Sequence, residues 1–177
     1  MAYYKTKVSD PEKKYKNGHC ILNILIVDDD DSARESLREM IEIRGHKVTT
    51  LDEGMKCVNR CYNTYFDIIF MDYHINDLDG KINGIDITKM VRECFDTDSI
   101  VYAYTGDNTT KAINNFKKNN IKGAFIKPVE PSLINEFLSI VEQNIDNTLL
   151  LSRLSIKKKN FMYFNKKHNK QVISQDI

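Results

Sequence analysis

The chain lacks the features that several common protein classes require. No apolar stretch approaches the ~18 residues of a membrane-spanning helix, and residues 1–7 lack the apolar core of a signal peptide. The four cysteines, Cys20, Cys57, Cys61 and Cys94, do not have the spacing of a zinc site, and none of the four histidines belongs to a metal-ligand pair. We therefore expect a cytoplasmic protein with reduced thiols and no membrane insertion.

Charge is distributed unevenly along the 177 residues, although the net charge is only +1. Residues 1–19 carry five Lys and two acids, residues 20–146 carry 14 Lys/Arg and 22 acids, and residues 147–177 carry seven Lys/Arg and one acid. This pattern predicts a flexible basic N-terminal extension over 1–19, one acidic folded domain over 20–146, and a basic C-terminal segment over 147–177.

Four short apolar stretches each end in a reactive or charged side chain. They are Leu22–Val27 before Asp28 to Asp31, Tyr65–Met71 before Asp72, Ile100–Tyr104 before Thr105, and Ala124–Ile126 before Lys127. Such stretches are too short for helices and predict buried strands. The carboxyl ends of parallel strands converge on the crevice where α/β proteins bind ligands. We therefore predict a site in which Asp72 is a nucleophile served by the other strand ends.

Helical patterns separate these strands, and His46–Leu51 reads as an outer strand. Alternation of strand and helix predicts an α/β fold with a doubly wound parallel sheet covered on both faces. Asp30, Asp31 or Ser32 is expected to cap the first helix, with Ser32 to Glu35 fitting a capping box. The last helix keeps its apolar spacing to Leu149, which predicts that it runs past the sheet toward Ser155.

Several dipeptides at the predicted strand ends carry a family resemblance. They are Val27-Asp28-Asp29, Met71-Asp72, Thr105-Gly106 and Lys127-Pro128. In this order and at these separations, they resemble the receiver domain of two-component response regulators, over roughly residues 21–145. The resemblance implies a CheY-like, flavodoxin-like (βα)5 sandwich with a five-stranded parallel sheet of order 2-1-3-4-5.

The resemblance also implies a metal-dependent reaction. Asp72 would take a phosphoryl group from a histidine kinase or a histidine phosphotransfer protein and become an aspartyl phosphate. Crowded carboxylates raise one another's proton affinity, and Mg²⁺, which prefers oxygen ligands, relieves this. By resemblance, Asp29 and Asp72 coordinate the ion directly, Asp28 acts directly or through water, and His74 contributes its backbone carbonyl.

Positive charge and hydrogen-bond donors are the remaining requirement, because the transferred group spreads negative charge over three oxygens. The resemblance assigns the ammonium to Lys127 and the hydroxyl to Thr105, with a cis peptide bond before Pro128. The alternative interpretation is a solvated turn at Asp28–Asp31 and an ordinary surface lysine, which five matched positions make improbable. For Asp30 and Asp31, helix capping is favoured over metal binding.

The chain departs from the family pattern near the site. Asn76 stands where the family has Pro, and residues 81–84 after Gly80 read as an insertion before the helix. Ala124 occupies the position of the aromatic switch residue, while strand alternation predicts that Phe125 is core. Signalling is then expected to use a different element of the domain, or little movement at all.

Two positions beside the predicted site bear on the lifetime of an aspartyl phosphate. His74 and Asp107 lie two residues beyond Asp72 and Thr105. We hypothesise that they pair and shield the phosphate from water, and two solvated side chains without contact are the competing interpretation.

The alternative functions differ in the kind of protein that contains this domain and in the molecule on which it acts. The chain fits a phosphoacceptor that signals to a downstream protein, and equally the receiver segment of a hybrid histidine kinase. The basic and aromatic residues of 157–170 are compatible with nucleic-acid binding, although a partner-binding or solvated tail is favoured. An Asp-nucleophile phosphohydrolase is disfavoured because those enzymes carry an acid where this chain has His74. No activity beyond Mg-dependent self-phosphorylation and self-dephosphorylation is expected.

Overall fold

Strands and helices alternate along most of the chain. The computed structural model describes residues 6–7, 12–16, 18–75 and 78–164. The strands are β1 (Thr6–Lys7), β2 (Lys14–Lys16), β3 (His19–Ile21), β4 (Asn23–Val27), β5 (Lys47–Leu51), β6 (Ile68–Met71), β7 (Phe95–Asp96), β8 (Ile100–Thr105), β9 (Gly123–Ile126) and β10 (Phe161–Tyr163). The helices are α1 (Asp31–Glu42), α2 (Gly54–Cys61), α3 (Gly84–Cys94), α4 (Thr110–Lys118), α5 (Pro131–Val141) and α6 (Thr148–Lys157).

The central sheet has the order β10-β9-β8-β6-β4-β5. Its five strands from β9 to β5 are parallel and have the predicted order 2-1-3-4-5, with β5 at the outer edge. Val27 lies opposite Met71, and Thr105 lies opposite Ile126. The residues that follow these strands therefore emerge at one edge of the sheet.

Each face of the sheet carries its own apolar cluster. One contains Ile24, Phe70 and Phe125 and packs under α1, α5 and α6. The other contains Leu25, Met71 and Ala124 and packs under α2, α3 and α4. Successive residues of one strand enter opposite clusters because side chains alternate across a sheet. The prediction that Phe125 belongs to the core is confirmed, since its side chain is fully buried among the rings of its cluster.

A short hairpin lies inside the segment expected to be a flexible extension. Strand β2 pairs antiparallel with β3, and Gly18 between them has φ +79°. Glycine adopts this left-handed conformation without steric strain, so the chain can reverse here in a tight turn. Strand β1 of the same segment pairs parallel with β7. The expectation of a flexible extension over 1–19 is therefore corrected for Thr6–Lys7, Lys14–Lys16 and His19.

The C-terminal part of the chain differs most from the prediction. One continuous helix to Ser155 was expected, but α5 ends at Val141 and α6 begins at Thr148, where the Asn147 side chain accepts from the Leu150 N–H at 3.1 Å. Strand β10 then adds antiparallel to β9. The expected basic tail is therefore folded up to Phe164, and residues 165–177 of it lie outside the described residues.

Strand β10 is held by contacts on both of its sides. Its Met162 lies opposite Ala124 of β9, and on the other side α6 covers it. Ser155 of α6 accepts from the Tyr163 N–H at 2.9 Å and donates to the Phe161 carbonyl at 3.3 Å. Across the described segments, no helix has the length and apolar content needed to cross a membrane.

Candidate functional site

The turn after β4 places its acids by backbone hydrogen bonds. The N–H of Asp28 donates to the Leu51 carbonyl at 3.0 Å, and its side chain accepts from the Asp30 N–H at 2.9 Å. Asp30 in turn caps α1 by accepting from the Ala33 N–H at 2.8 Å. Capping by Asp30 is thus confirmed, and the capping box proposed for Ser32 is wrong because the N-cap lies two residues earlier and Ser32 is already inside α1.

Three carboxylates meet at this edge of the sheet. Asp28, Asp29 and Asp72 each offer an oxygen that lies within 4.8 Å of the other two. Asp28 is fully buried and Asp72 is 6% exposed, whereas Asp29 faces solvent. The Asp72 N–H donates to the Val27 carbonyl at 2.9 Å, so the β4–β6 pairing itself brings Asp72 beside the acidic turn. The three acids predicted from separate segments are therefore together.

Lys127 supplies positive charge to the cluster. Its Nζ lies 2.5 Å from Asp28 Oδ2 and 3.8 Å from Asp72 Oδ2. It also lies 4.7 Å from the centroid of the Tyr104 ring, a distance typical of a cation–π contact. The Lys127–Pro128 peptide bond is cis, as predicted. One ammonium therefore faces three carboxylates.

Burial and neighbouring charge disturb the protonation of Asp72. Burial raises the pKa of Asp72 to about 6, against the lowering effect of the Lys127 ammonium. The charges of Asp28 and Asp29 raise this pKa further, and the His74 N–H, which donates to the carboxylate, lowers it. Three carboxylates beside one ammonium carry net negative charge when ionised, which is the electrostatic condition that favours a bound cation.

Thr105, Asp107 and His74 lie beside the carboxylate cluster. Thr105 is fully buried, and its hydroxyl accepts from the Asp107 N–H at 3.1 Å. His74 Nε2 lies 2.7 Å from Asp107 Oδ2, which confirms the hypothesis that these side chains pair. The Thr109 hydroxyl and then His74 lower the pKa of Asp107 to about 2, so it stays ionised.

This arrangement coincides with a family match. The pattern of the response regulator receiver domain matches residues 24–139, about two thirds of the chain and all of the strand ends described above. The chain belongs to the response regulator receiver domain family.

Relatives of this receiver domain occur in several protein contexts. It is 37% identical over 71 residues to the rice two-component response regulator ORR27, a match that covers 36% of this chain and 12% of the rice protein. It is 23% identical over 113 residues to the CAI-1 autoinducer sensor kinase/phosphatase CqsS of Vibrio cholerae, covering 63% of this chain and 16% of that protein. The chain thus spans only a small part of the curated relatives it matches.

Solved structures show the same fold. A two-component response regulator from Clostridium difficile superposes with a TM-score of 0.62 at 19% identity, covering 71% of this chain and 99% of that chain. The BeF3-activated DrrB receiver domain gives a TM-score of 0.59 at 18% identity, covering 72% of this chain and 99% of that chain.

Gly84 allows the start of α3 to pack closely against the backbone of Asp72, at the end of β6. A Cβ on Gly84 would lie 2.0 Å from the backbone oxygen of Asp72, so no larger residue fits there. The Gly84 N–H donates to the Tyr73 carbonyl at 3.0 Å. Gly80 instead has φ +75° in a turn before the helix. Gly84 is therefore the glycine that packs against the backbone of Asp72, and residues 81–83 extend the loop ahead of it.

Sequence reasoning missed three residues that contact this site. Arg34 donates from Nη1 to the Asp28 carbonyl at 2.6 Å, Tyr104 lies under Lys127, and Asn160 donates to the Pro128 carbonyl at 2.7 Å. Two of the three could have been found from the sequence, because Arg34 lies one turn into α1 and Tyr104 directly precedes Thr105. Asn160 had none, because its position depends on the unpredicted strand β10.

Proposed function

We propose that this chain is a phosphoacceptor whose Asp72 carries the signal as an aspartyl phosphate. The observation that carries the proposal is the meeting of Asp28, Asp29 and Asp72 with the Lys127 ammonium at one sheet edge. A nucleophilic carboxylate beside a fixed cation and hard oxygen ligands suits phosphoryl transfer.

The donor set fits Mg²⁺. Carboxylate oxygens are the ligands that this ion prefers, and three of them meet here. The pKa of Asp72 is raised chiefly by burial and further by the charges of Asp28 and Asp29, which a bound cation would offset. Asp29 and Asp72 would hold the ion, together with Asp28 and the backbone carbonyl of His74. When bound, the ion would neutralise charge on the transferred phosphoryl oxygens.

The residues of the chain have separate tasks in this reaction. A carboxylate oxygen of Asp72 forms a bond to phosphorus while the P–N bond of the donor phosphohistidine breaks. The electron pair stays on the imidazole nitrogen, which takes a proton from solvent. Lys127 approaches Asp72 closely enough to bind a phosphoryl oxygen, and the Thr105 hydroxyl provides a further donor.

The partners follow from this chemistry. A histidine kinase or histidine phosphotransfer protein would supply the phosphoryl group in the cytoplasm, and a downstream protein would bind the phosphorylated form. A receiver segment within a hybrid kinase is the second candidate, favoured by the similarity to the sensor kinase/phosphatase CqsS. Both use Asp72 in the same way.

The proposal is tested with phosphoramidate, a small donor that has the P–N bond of phosphohistidine. We expect the wild type with Mg²⁺ to gain the mass of one phosphoryl group, and Asp72→Asn or chelation of Mg²⁺ to abolish the gain. Asp98→Asn is the matched control, because Asp98 is exposed and lies before β8, away from the carboxylate cluster. Labelling of Asp72→Asn at the wild-type rate would contradict the proposal.

His74→Asn is expected to shorten the lifetime of the phosphorylated protein. The pair of His74 and Asp107 lies beside the site, and an exposed pair of this kind contributes at most about 1 kcal/mol, or roughly a fivefold change in rate. The decay of the phosphorylated mass after removal of donor measures this lifetime. His19→Asn, whose side chain is 67% exposed, is the control. An unchanged lifetime in His74→Asn rejects shielding.

A further inference from the structure

Asn160 contacts the backbone on both sides of Lys127. Its carbonyl accepts from the Ile126 N–H at 2.9 Å, and its side-chain Nδ2 donates to the Pro128 carbonyl at 2.7 Å. The Lys127 N–H itself donates to the Thr105 carbonyl at 2.9 Å. The backbone of the lysine is thus bound on one side by β8 and on the other by Asn160.

Asn160 lies outside the part of the chain that matches the receiver family. That match ends at residue 139, whereas Asn160 directly precedes β10. Its neighbours are held by other contacts: Ser155 bonds to both Phe161 and Tyr163, and Phe161 is buried in the core. The α6–β10 segment is therefore a packed support from which Asn160 reaches the site.

The orientation of Lys127 depends on this backbone. Its side chain reaches over the Tyr104 ring to Asp28 and approaches Asp72 to 3.8 Å. Residues 127 and 128 directly follow β9. A change in the backbone direction there would move Lys127 Nζ away from the phosphoryl position. Displacement of a catalytic group by even 1 Å lowers reaction rates strongly.

We propose that Asn160 is a positioning residue for Lys127, so that the C-terminal α6–β10 segment of this chain completes the phosphoacceptor site. This inference rests on the proposed function of Asp72 and Lys127, and it adds a residue that the family match does not include. Asn160 acts through Lys127 and does not itself touch the phosphoryl group.

The test compares initial rates of phosphorylation by phosphoramidate with Mg²⁺. Asn160→Leu removes the side-chain donor with little change of volume, and we expect a rate about fivefold lower because the Lys127 ammonium is less well placed. Ser155→Ala is the matched control, because it loosens the same α6–β10 segment without touching residues 126–128. Its rate should equal that of the wild type.

A double variant separates positioning from general stability. If Asn160 acts through Lys127, then Asn160→Leu causes no further loss in a Lys127→Ala background. The same fivefold loss in that background, an equal loss in Ser155→Ala, or a wild-type rate in Asn160→Leu would each overturn the inference.

A second readout does not depend on phosphorylation. The ¹³Cε NMR resonance of Lys127 in metal-free protein should shift in Asn160→Leu and stay unchanged in Ser155→Ala. If the wild type accepts no phosphate, the proposed function fails, and this resonance alone then decides the inference. An unshifted resonance in Asn160→Leu overturns it.

Discussion

Lys127→Ala should slow phosphorylation of Asp72 by about 100-fold or more, the usual loss when one charge-stabilising group is removed from an active site. The Lys127 ammonium lies 3.8 Å from the carboxylate that would become phosphorylated. In the described part of the chain, Arg34 is the other cation bonded to the acidic turn, but it contacts the backbone carbonyl of Asp28 and the carboxylate of Asp31. No described side chain would therefore replace the lysine at the phosphoryl oxygens.

The measurement is the initial rate with phosphoramidate and Mg²⁺, at matched protein and donor concentrations. Lys122→Ala is the control, because Lys122 also lies next to β9 but pairs with Asp146 away from the site. Retention of more than half of the wild-type rate in Lys127→Ala would show that the lysine has no catalytic task.

Asp72→Asn should stabilise the metal-free protein at neutral and higher pH. The pKa of Asp72 is raised from 3.8 to about 6 by burial, so the folded protein holds a proton that the unfolded chain releases. Below about pH 4 both states are protonated and the carboxyl has no net effect. Between about pH 4 and 6 the unfolded chain is ionised while the folded carboxyl is still protonated, so the free energy of unfolding falls by about 3 kcal/mol over this range. Above pH 6 the folded state holds a buried charge and no further loss occurs. An Asn at this position has no such penalty.

Chemical denaturation at a series of pH values, first with chelator and then with Mg²⁺, checks this prediction. The stability difference between Asp72→Asn and the wild type should be absent below pH 4, appear between pH 4 and 6, and shrink when Mg²⁺ is added. Asp98→Asn is the control, because Asp98 is exposed and lies before β8, away from the carboxylate cluster. A difference that is independent of pH would contradict the assigned cause.

The strand ends were predictable because short apolar runs and parallel-sheet geometry leave few alternatives. Asp28 and Asp72 follow paired strands in register, so their meeting needs only the predicted strand order. The core position of Phe125 followed from alternation alone. The cis bond at Lys127–Pro128 required the family resemblance, because an X–Pro dipeptide by itself favours trans.

The C-terminal segment was not predictable for a physical reason. Leu133 to Leu149 keep a helical spacing, but those residues belong to two helices separated by a polar turn whose capping by Asn147 is local. The placement of β10 depends on pairing with β9 over a separation that periodicity does not encode. Because Asn160 directly precedes β10, its contact with Pro128 could not be predicted either. The close packing of Gly84 on Asp72 was missed because extra residues precede α3.

The most direct measurement identifies the residue that carries the phosphoryl group. Wild-type protein is phosphorylated with phosphoramidate and Mg²⁺, reduced with borohydride to mark the acyl phosphate, and digested for peptide mass analysis. The account predicts one reduced residue, Asp72, and no label when Mg²⁺ is chelated. Modification at another acid, such as Asp28 or Asp29, or labelling that persists without the metal, would contradict it.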